Sequence, residues 1–176
     1  IEVETDDETI EWKAQLRLPA QYKEASHVNF TAFNKRLLIT GEAPSAEAKA
    51  AIESSVRMVD GVREVYNELG IGPVSSLGNR SNDSYITSKL KARLVDSNQL
   101  SANHIKVVTE RGIAHLMGIV NEREAKVAVA VARTTAGVLK VVNLLEVVDE
   151  AESRRIDSQR TGSRTPPPQT APVETR

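Results

Sequence analysis

The chain has 176 residues, with 23 basic and 24 acidic side chains, a net charge of −1, a pI near 6.4 and no cysteine. That length holds one ordinary domain or two small ones. The charge balance excludes a global attraction to nucleic acid. The missing cysteines exclude disulfides, thiol catalysis and thiolate metal sites. No apolar run approaches the ~18 residues of a membrane-spanning helix.

In chain order, residues 1–5 read as an N-terminal extension. Asp7 is placed to cap a helix carrying Ile10, Ala14, Leu18 and Trp12, which Pro19 stops. Trp12 is expected in the core or between domains. Two strands follow, His27 to Phe33 and Arg36 to Glu42, joined at Asn34-Lys35, a joint short enough for a hairpin. A helix from Ser45 to Met58 keeps Ile52, Val56 and Val59 at helical spacing, and Gly61 closes it. A third strand covers Val62 to Ile71.

The stretch 73–81, from Pro73 through Gly78, Asn79 and Ser81, reads as a linker. The pattern then returns, about 77 residues on: His104 answers His27, Gly118 answers Gly41, and Gly137-Val138 answers Gly61-Val62. Asp83 is placed to cap a helix with Ile86, Leu90 and Leu94 four apart. Strands Ile105 to Glu110 and Ile113 to Val120 meet at Arg111-Gly112. A helix from Asn121 to Thr134 opens on a capping box, Asn121-Glu122-Arg123-Glu124, and a last strand runs from Val138 to Val148. Residues 150–176, with Pro166-Pro167-Pro168 and Pro172, read as a disordered tail. Recurrence at one spacing makes this an α+β chain of two tandem units, 6–72 and 82–149, each αββαβ. Each is expected to pack a three-stranded mixed sheet against two helices.

Catalytic and metal chemistry find little here. His27 and His104 share one repeat position and read as structural, and His115 reads as a strand residue without companions for a metal site. There is no Gly-x-Ser-x-Gly elbow, and Gly70-Ile71-Gly72 is too short to cradle a phosphate. No enzyme, metal or cofactor is expected.

Thr40-Gly41-Glu42-Ala43 with Gly61-Val62-Arg63-Glu64-Val65-Tyr66-Asn67, and Met117-Gly118-Ile119-Val120 with Gly137-Val138-Leu139-Lys140-Val141-Val142-Asn143, resemble the signature of the BON domain (bacterial OsmY and nodulation). Asn82-Asp83-Ser84-Tyr85-Ile86-Thr87-Ser88-Lys89 and Asn121-Glu122-Arg123-Glu124-Ala125-Lys126 are similar to two-domain members that are envelope lipoproteins. That resemblance implies a periplasmic protein, lipid-anchored to the outer membrane. It also implies binding of anionic phospholipid through the first helix of the second domain, and a role in envelope integrity. The anchor cysteine of such proteins is absent from this chain, which starts at Ile1 and reads as a trimmed form. The Pro-rich tail lies outside the shared pattern.

The residues themselves favour the same helix. Asp6 to Leu18 holds four acids and two bases, whereas Asn82 to Leu94 holds one acid and three bases, Lys89, Lys91 and Arg93. Tyr85, Lys89 and Arg93 lie four apart, beside the row Ile86, Leu90, Leu94. An aromatic ring among cations suits an anionic headgroup surface. The expected lipid-contacting residues are Ser84, Tyr85, Ser88, Lys89, Lys91, Ala92, Arg93 and Val95. Three bases supply about 3 kcal/mol, an affinity weaker than about 1 mM, so a second attachment is required. An ordinary solvated helix face is the competing reading of these cations. Expected partners are the phospholipid surface and envelope or outer-membrane proteins, with the protein itself a monomer. The alternative function is a periplasmic stress-protection or protein-interaction module.

Overall fold

The computed structural model describes residues 2–100, 105–149 and 173–175, which fall into two compact units, 1–76 and 77–176. The first unit comprises α1 (Glu2–Arg17), β1 (His27–Phe33), β2 (Arg36–Ala43), α2 (Ala46–Arg57), β3 (Glu64–Asn67) and the two-residue β4 (Gly70–Ile71). The second comprises α3 (Leu77–Asp96), β5 (Ile105–Glu110), β6 (Ile113–Val120), α4 (Glu122–Arg133), β7 (Lys140–Val147) and β8 (Val173–Thr175).

Both sheets are mixed, as the repeat implied. β1 and β2 form an antiparallel hairpin, and the α2 crossover returns the chain so that β3 and β4 both run parallel to β2. β5, β6 and β7 repeat this arrangement through α4. Both hairpins turn at two residues with positive φ, Asn34 and Lys35 at 51° and 65°, then Arg111 and Gly112 at 52° and 76°. That is the turn whose twist matches paired strands.

Three of those four residues are not glycine and need support in that conformation. The support comes from two buried aspartates. Asp7 accepts hydrogen bonds from the amides of Asn34 and Lys35, both at 2.9 Å. Asp83 accepts from Arg111 and Gly112 at 2.8 and 2.9 Å. Neither caps its helix, as its position had suggested. Each lies inside the helix and clamps the hairpin. α1 therefore takes in Glu2 to Thr5 of the expected extension, and α3 takes in Leu77 to Ser81 of the expected linker. Once a helix is docked, each further residue adds a hydrogen bond without a new nucleus. That outweighs the ~1 kcal/mol disfavour of Gly78.

The other caps follow the sequence. The Ser45 hydroxyl accepts from the Ala48 amide, and Asn121 and Glu124 form the reciprocal capping box. Gly61 and Gly137, at φ 91° and 96°, sit in the turns just beyond the helices rather than closing them. A Cβ on Gly137 would come within 3.0 Å of Ile86, so this turn lies directly against α3.

The core of unit one centres on Ile10, Ala14, Leu37, Ile39, Ile52 and Val65, and that of unit two on Ile86, Leu90, Leu116, Ala128 and Val141. Side chains on the opposite sheet face are buried as well, among them Leu38, Met117, Val142 and Leu144. Strands buried on both faces read as continuous apolar runs, which is the pattern of Ile113 to Val120. His115 belongs to that face. Its Nδ1 donates to the Val108 carbonyl at 2.9 Å. Burial pushes its pKa down to about 4, the Val108 bond opposing and Arg111 and Lys140 assisting.

Three further expectations need correction or placement. Trp12 is 64% exposed rather than in the core. It lies one helical turn from the exposed Leu16 and on the side of α1 away from Ile10 and Ala14. The tail was expected to be disordered throughout, but Val173–Thr175 pairs antiparallel with β7, because β-branched residues after Pro172 suit an edge strand. Residues 150–172 and His104 lie outside the described residues.

Candidate lipid-facing helix

α3 is fixed on three sides. Ile86, Leu90 and Leu94 enter the core, Asp83 holds the β5–β6 turn, and the Thr87 hydroxyl bonds that of Thr109 at 2.8 Å. With these residues inward, the 100° helical step turns Ser84, Tyr85, Ser88, Lys91, Ala92 and Val95 outward, and all six are exposed. Lys89 and Arg93 lie half-buried on one flank.

The outward stripe carries Tyr85 (64% exposed) and Val95 (55%), with the small residues Ser88 and Ala92 between them. Leu77, 79% exposed, extends the stripe by two turns. It was missed in the sequence because its segment read as linker. The Lys89 ammonium stands 4.8 Å from the Tyr85 ring centroid, a cation–π contact of about 0.5–1 kcal/mol at an exposed site. Lys91 has no salt-bridge partner among the described residues.

Arg93 is used differently from the two lysines. Its Nη1 donates to the Val131 carbonyl at 2.9 Å and to Thr135 Oγ1 at 2.7 Å, and its Nη2 to Thr134 Oγ1 at 3.1 Å. A guanidinium at the C-terminal end of α4 adds a donor to the Val131 carbonyl of the last turn and meets the negative end of the helix dipole. Arg93 thus staples α3 to α4, and its hydrogen-bonding capacity is largely directed into the protein. The stripe of Tyr85, Lys89 and Arg93 read from the sequence therefore divides into a Tyr85–Lys89 pair near the surface and a structural arginine.

Superposing the repeats on Asp7 and Asp83 shows what is specific to α3. Lys13 and Arg17 stand where α3 has Lys89 and Arg93, so those bases are common to both copies. The charge contrast comes from Asp6, Glu8 and Glu11 being replaced by Asn82, Ser84 and Thr87, and from Gln15 being replaced by Lys91. Arg17 is exposed, and the positions matching Thr134 and Thr135 are Met58 and Val59, which have no hydroxyl to receive it.

Two αββαβ units in register, each with a clamping aspartate and a Gly-Val turn from its crossover helix into the next strand, define a tandem domain architecture. The BON domain family model matches residues 6–73 and 82–149, and the chain belongs to that family. Among its relatives, the outer membrane lipoprotein DolP of Haemophilus influenzae is 34% identical over 146 residues, covering 82% of this chain and 76% of that protein. A 21 kDa hemolysin of Actinobacillus pleuropneumoniae is 34% identical over 147 residues, with the same coverage of each. Osmotically-inducible protein Y of Escherichia coli is 38% identical over 80 residues, covering 45% of this chain and 40% of its own.

Proposed function

We propose that this protein is an envelope lipoprotein that attaches to anionic phospholipid through the outward face of α3 and supports outer-membrane integrity from the periplasm. The observation that carries this reading is the make-up of that face: an exposed Tyr85 and Val95 separated by small residues, with Lys89 and Lys91 at either flank and no exposed acid between Ser84 and Val95. Tyrosine favours the headgroup level, where its ring is apolar and its hydroxyl wet. The lysines meet phosphate at about 1 kcal/mol each.

Their sum, with a comparable contribution from the two apolar side chains, is about 4 kcal/mol, or millimolar affinity. That strength suits a surface contact made by a protein already tethered, since durable attachment takes two signals. The likeness to the Haemophilus relative, an outer membrane lipoprotein, supports such a tether. The reading involves no catalysis.

Co-sedimentation with phosphatidylglycerol and phosphatidylcholine vesicles tests it. The chain should partition onto the anionic vesicles, and K89E/K91E should reduce that about tenfold or more. Equal binding to both vesicle types, or no effect of the substitution, would reject the assigned face.

A second reading, a protein-interaction module, is favoured by Trp12 and Leu16, which give α1 an exposed apolar pair. Capture of unfolded protein lost in W12S and unaffected by K89E/K91E would favour it.

A further inference from the structure

The contrast between the two first helices recurs in the two crossover helices. α2 and α4 share a frame: the Ser45 cap answers Asn121, and Ile52 and Val56 enter the core where α4 has Ala128 and Ala132. On the outward side Glu47 is replaced by Arg123, Ala50 by Lys126 and Glu53 by Val129. The loss of Glu53 also releases a base. In α2, Arg57 donates to Glu53 through Nε at 3.0 Å and Nη2 at 2.6 Å, whereas its counterpart Arg133 has Val129 one turn back. The side chains of Arg123 and Arg133 are exposed and form no hydrogen bond or ion pair among the described residues. Lys126 reaches Glu122 at 3.6 Å with both ends in solvent, a pairing that water and salt largely screen.

These cations share a surface with the candidate lipid face. Ile86, Leu90 and Leu94 of α3 and Ala125, Ala128 and Ala132 of α4 enter one core, so both helices cover the same side of the second sheet. Arg93, bonded to Val131, Thr134 and Thr135, holds them side by side. Helices packed in one layer turn their outer faces the same way. With its alanines inward, the helical step sets Arg123, Lys126, Ala130 and Arg133 of α4 outward, and all four are exposed. From Ser84 to Val95 and along α4, the exposed charges are Lys91, Arg123, Lys126 and Arg133 against Glu122. The corresponding exposed charges of unit one, Glu8, Arg17, Glu47 and Arg57, cancel.

We infer that the membrane contact is the whole helix layer of unit two: α4 lies on the anionic lipid surface beside α3, with Arg123, Lys126 and Arg133 on headgroup phosphates. This rests on the lipid reading of α3 and extends it. Arginine suits the role because its planar fork takes two phosphate oxygens at once. A single helix on a surface can roll about its axis, whereas two side by side cannot, so the second sheet is held flat above the headgroups. The α4 contribution is electrostatic and should fade as salt rises.

The test uses the full chain and vesicles of phosphatidylglycerol and phosphatidylcholine. With the α4 bases engaged, the parent should bind phosphatidylglycerol about tenfold or more tighter than the millimolar contact of α3 alone. R123Q/R133Q should weaken binding about tenfold and leave the unfolding midpoint unchanged, since neither side chain has a partner to lose. K49Q/R57Q, the same loss of two bases from α2, should weaken it less than about twofold. Contact is read directly with a spin-labelled headgroup. The amides of Arg123, Lys126 and Arg133 should broaden with those of Ser88 and Ala92, while those of Glu47, Ala50 and Arg57 stay sharp.

Binding lost in K89E/K91E but kept in R123Q/R133Q, or broadening confined to α3, would overturn the inference and leave the α3 reading standing. Equal losses in R123Q/R133Q and K49Q/R57Q would overturn it too, since net charge rather than contact would be at work. Broadening of α4 without α3, or no preference of the parent for phosphatidylglycerol, would overturn both.

Discussion

α1 and α3 are the same helix folded twice, and they present opposite surfaces. Inward they agree almost residue for residue: Asp7 with Asp83, Ile10 with Ile86, Ala14 with Leu90, Leu18 with Leu94. Outward, Trp12 and Leu16 of α1 correspond in the repeat to Ser88 and Ala92 of α3, and Glu8, Thr9 and Gln15 to Ser84, Tyr85 and Lys91. The comparison teaches that the inward set builds the scaffold and that function should be sought in the outward set. It also shows that Lys89 and Arg93, shared with Lys13 and Arg17, distinguish α3 less than the lost acids do.

If the inward set is scaffold, damaging it should act alike in both units. D83A removes the acceptor of two buried amides, each worth about 1.5–3 kcal/mol to a charged partner. A loss of about 4 kcal/mol in denaturant unfolding is expected for unit two, and D7A should cost about the same in unit one. A large asymmetry would break the equivalence.

The second prediction separates the units by pH. His115 stands where unit one has Leu38. Its pKa falls from 6.5 to about 4 on folding, so the unfolded chain takes up the proton first. The stabilisation is complete above pH 6.5 and is lost as pH falls towards 4, by about 3 kcal/mol in all. H115L should remove most of this acid sensitivity, measured as unfolding midpoints between pH 7 and pH 4. An unchanged pH profile would place the titration elsewhere.

Smaller effects sharpen the comparison at the surface. R93Q should lower stability by about 1–2 kcal/mol through loss of the α4 staple, whereas R17Q should change it by less than about 0.5 kcal/mol. Vesicle affinity of R93Q should fall by less than the roughly fivefold that a fully available base of about 1 kcal/mol would give, because Arg93 donates into α4. W12S should leave anionic vesicle binding within about twofold of the parent, and a larger loss would bring α1 into the membrane contact.

Much of this architecture was legible in the chain because it was stated twice. The strands β1 to β3, their hairpin turn and the crossover helix had a second instance in β5 to β7 and α4 to confirm their period, whereas β4 and β8 had none. What misled was local context. An aspartate ahead of an apolar helical row is usually a cap, but Asp7 and Asp83 instead bond hairpin turns 27–29 residues away. Helical spacing correctly placed Tyr85 and Lys89 together. It gave no sign that Arg93 would turn to Thr134 and Thr135, because that contact spans some 40 residues and depends on the packing of α3 against α4. Trp12 was misplaced because a large apolar side chain is ordinarily buried. The displayed pair with Leu16 becomes visible only once Ile10 and Ala14 have fixed which side of α1 is inside.

The account stands or falls on α3 being the helix that meets anionic lipid. The direct measurement is a residue-resolved NMR titration of the chain with phosphatidylglycerol micelles. Amides from Ser84 to Val95 should shift in a saturable manner while those from Thr9 to Leu16 hold still. Shifts confined to α1, or none along α3 at lipid concentrations well above millimolar, would contradict it.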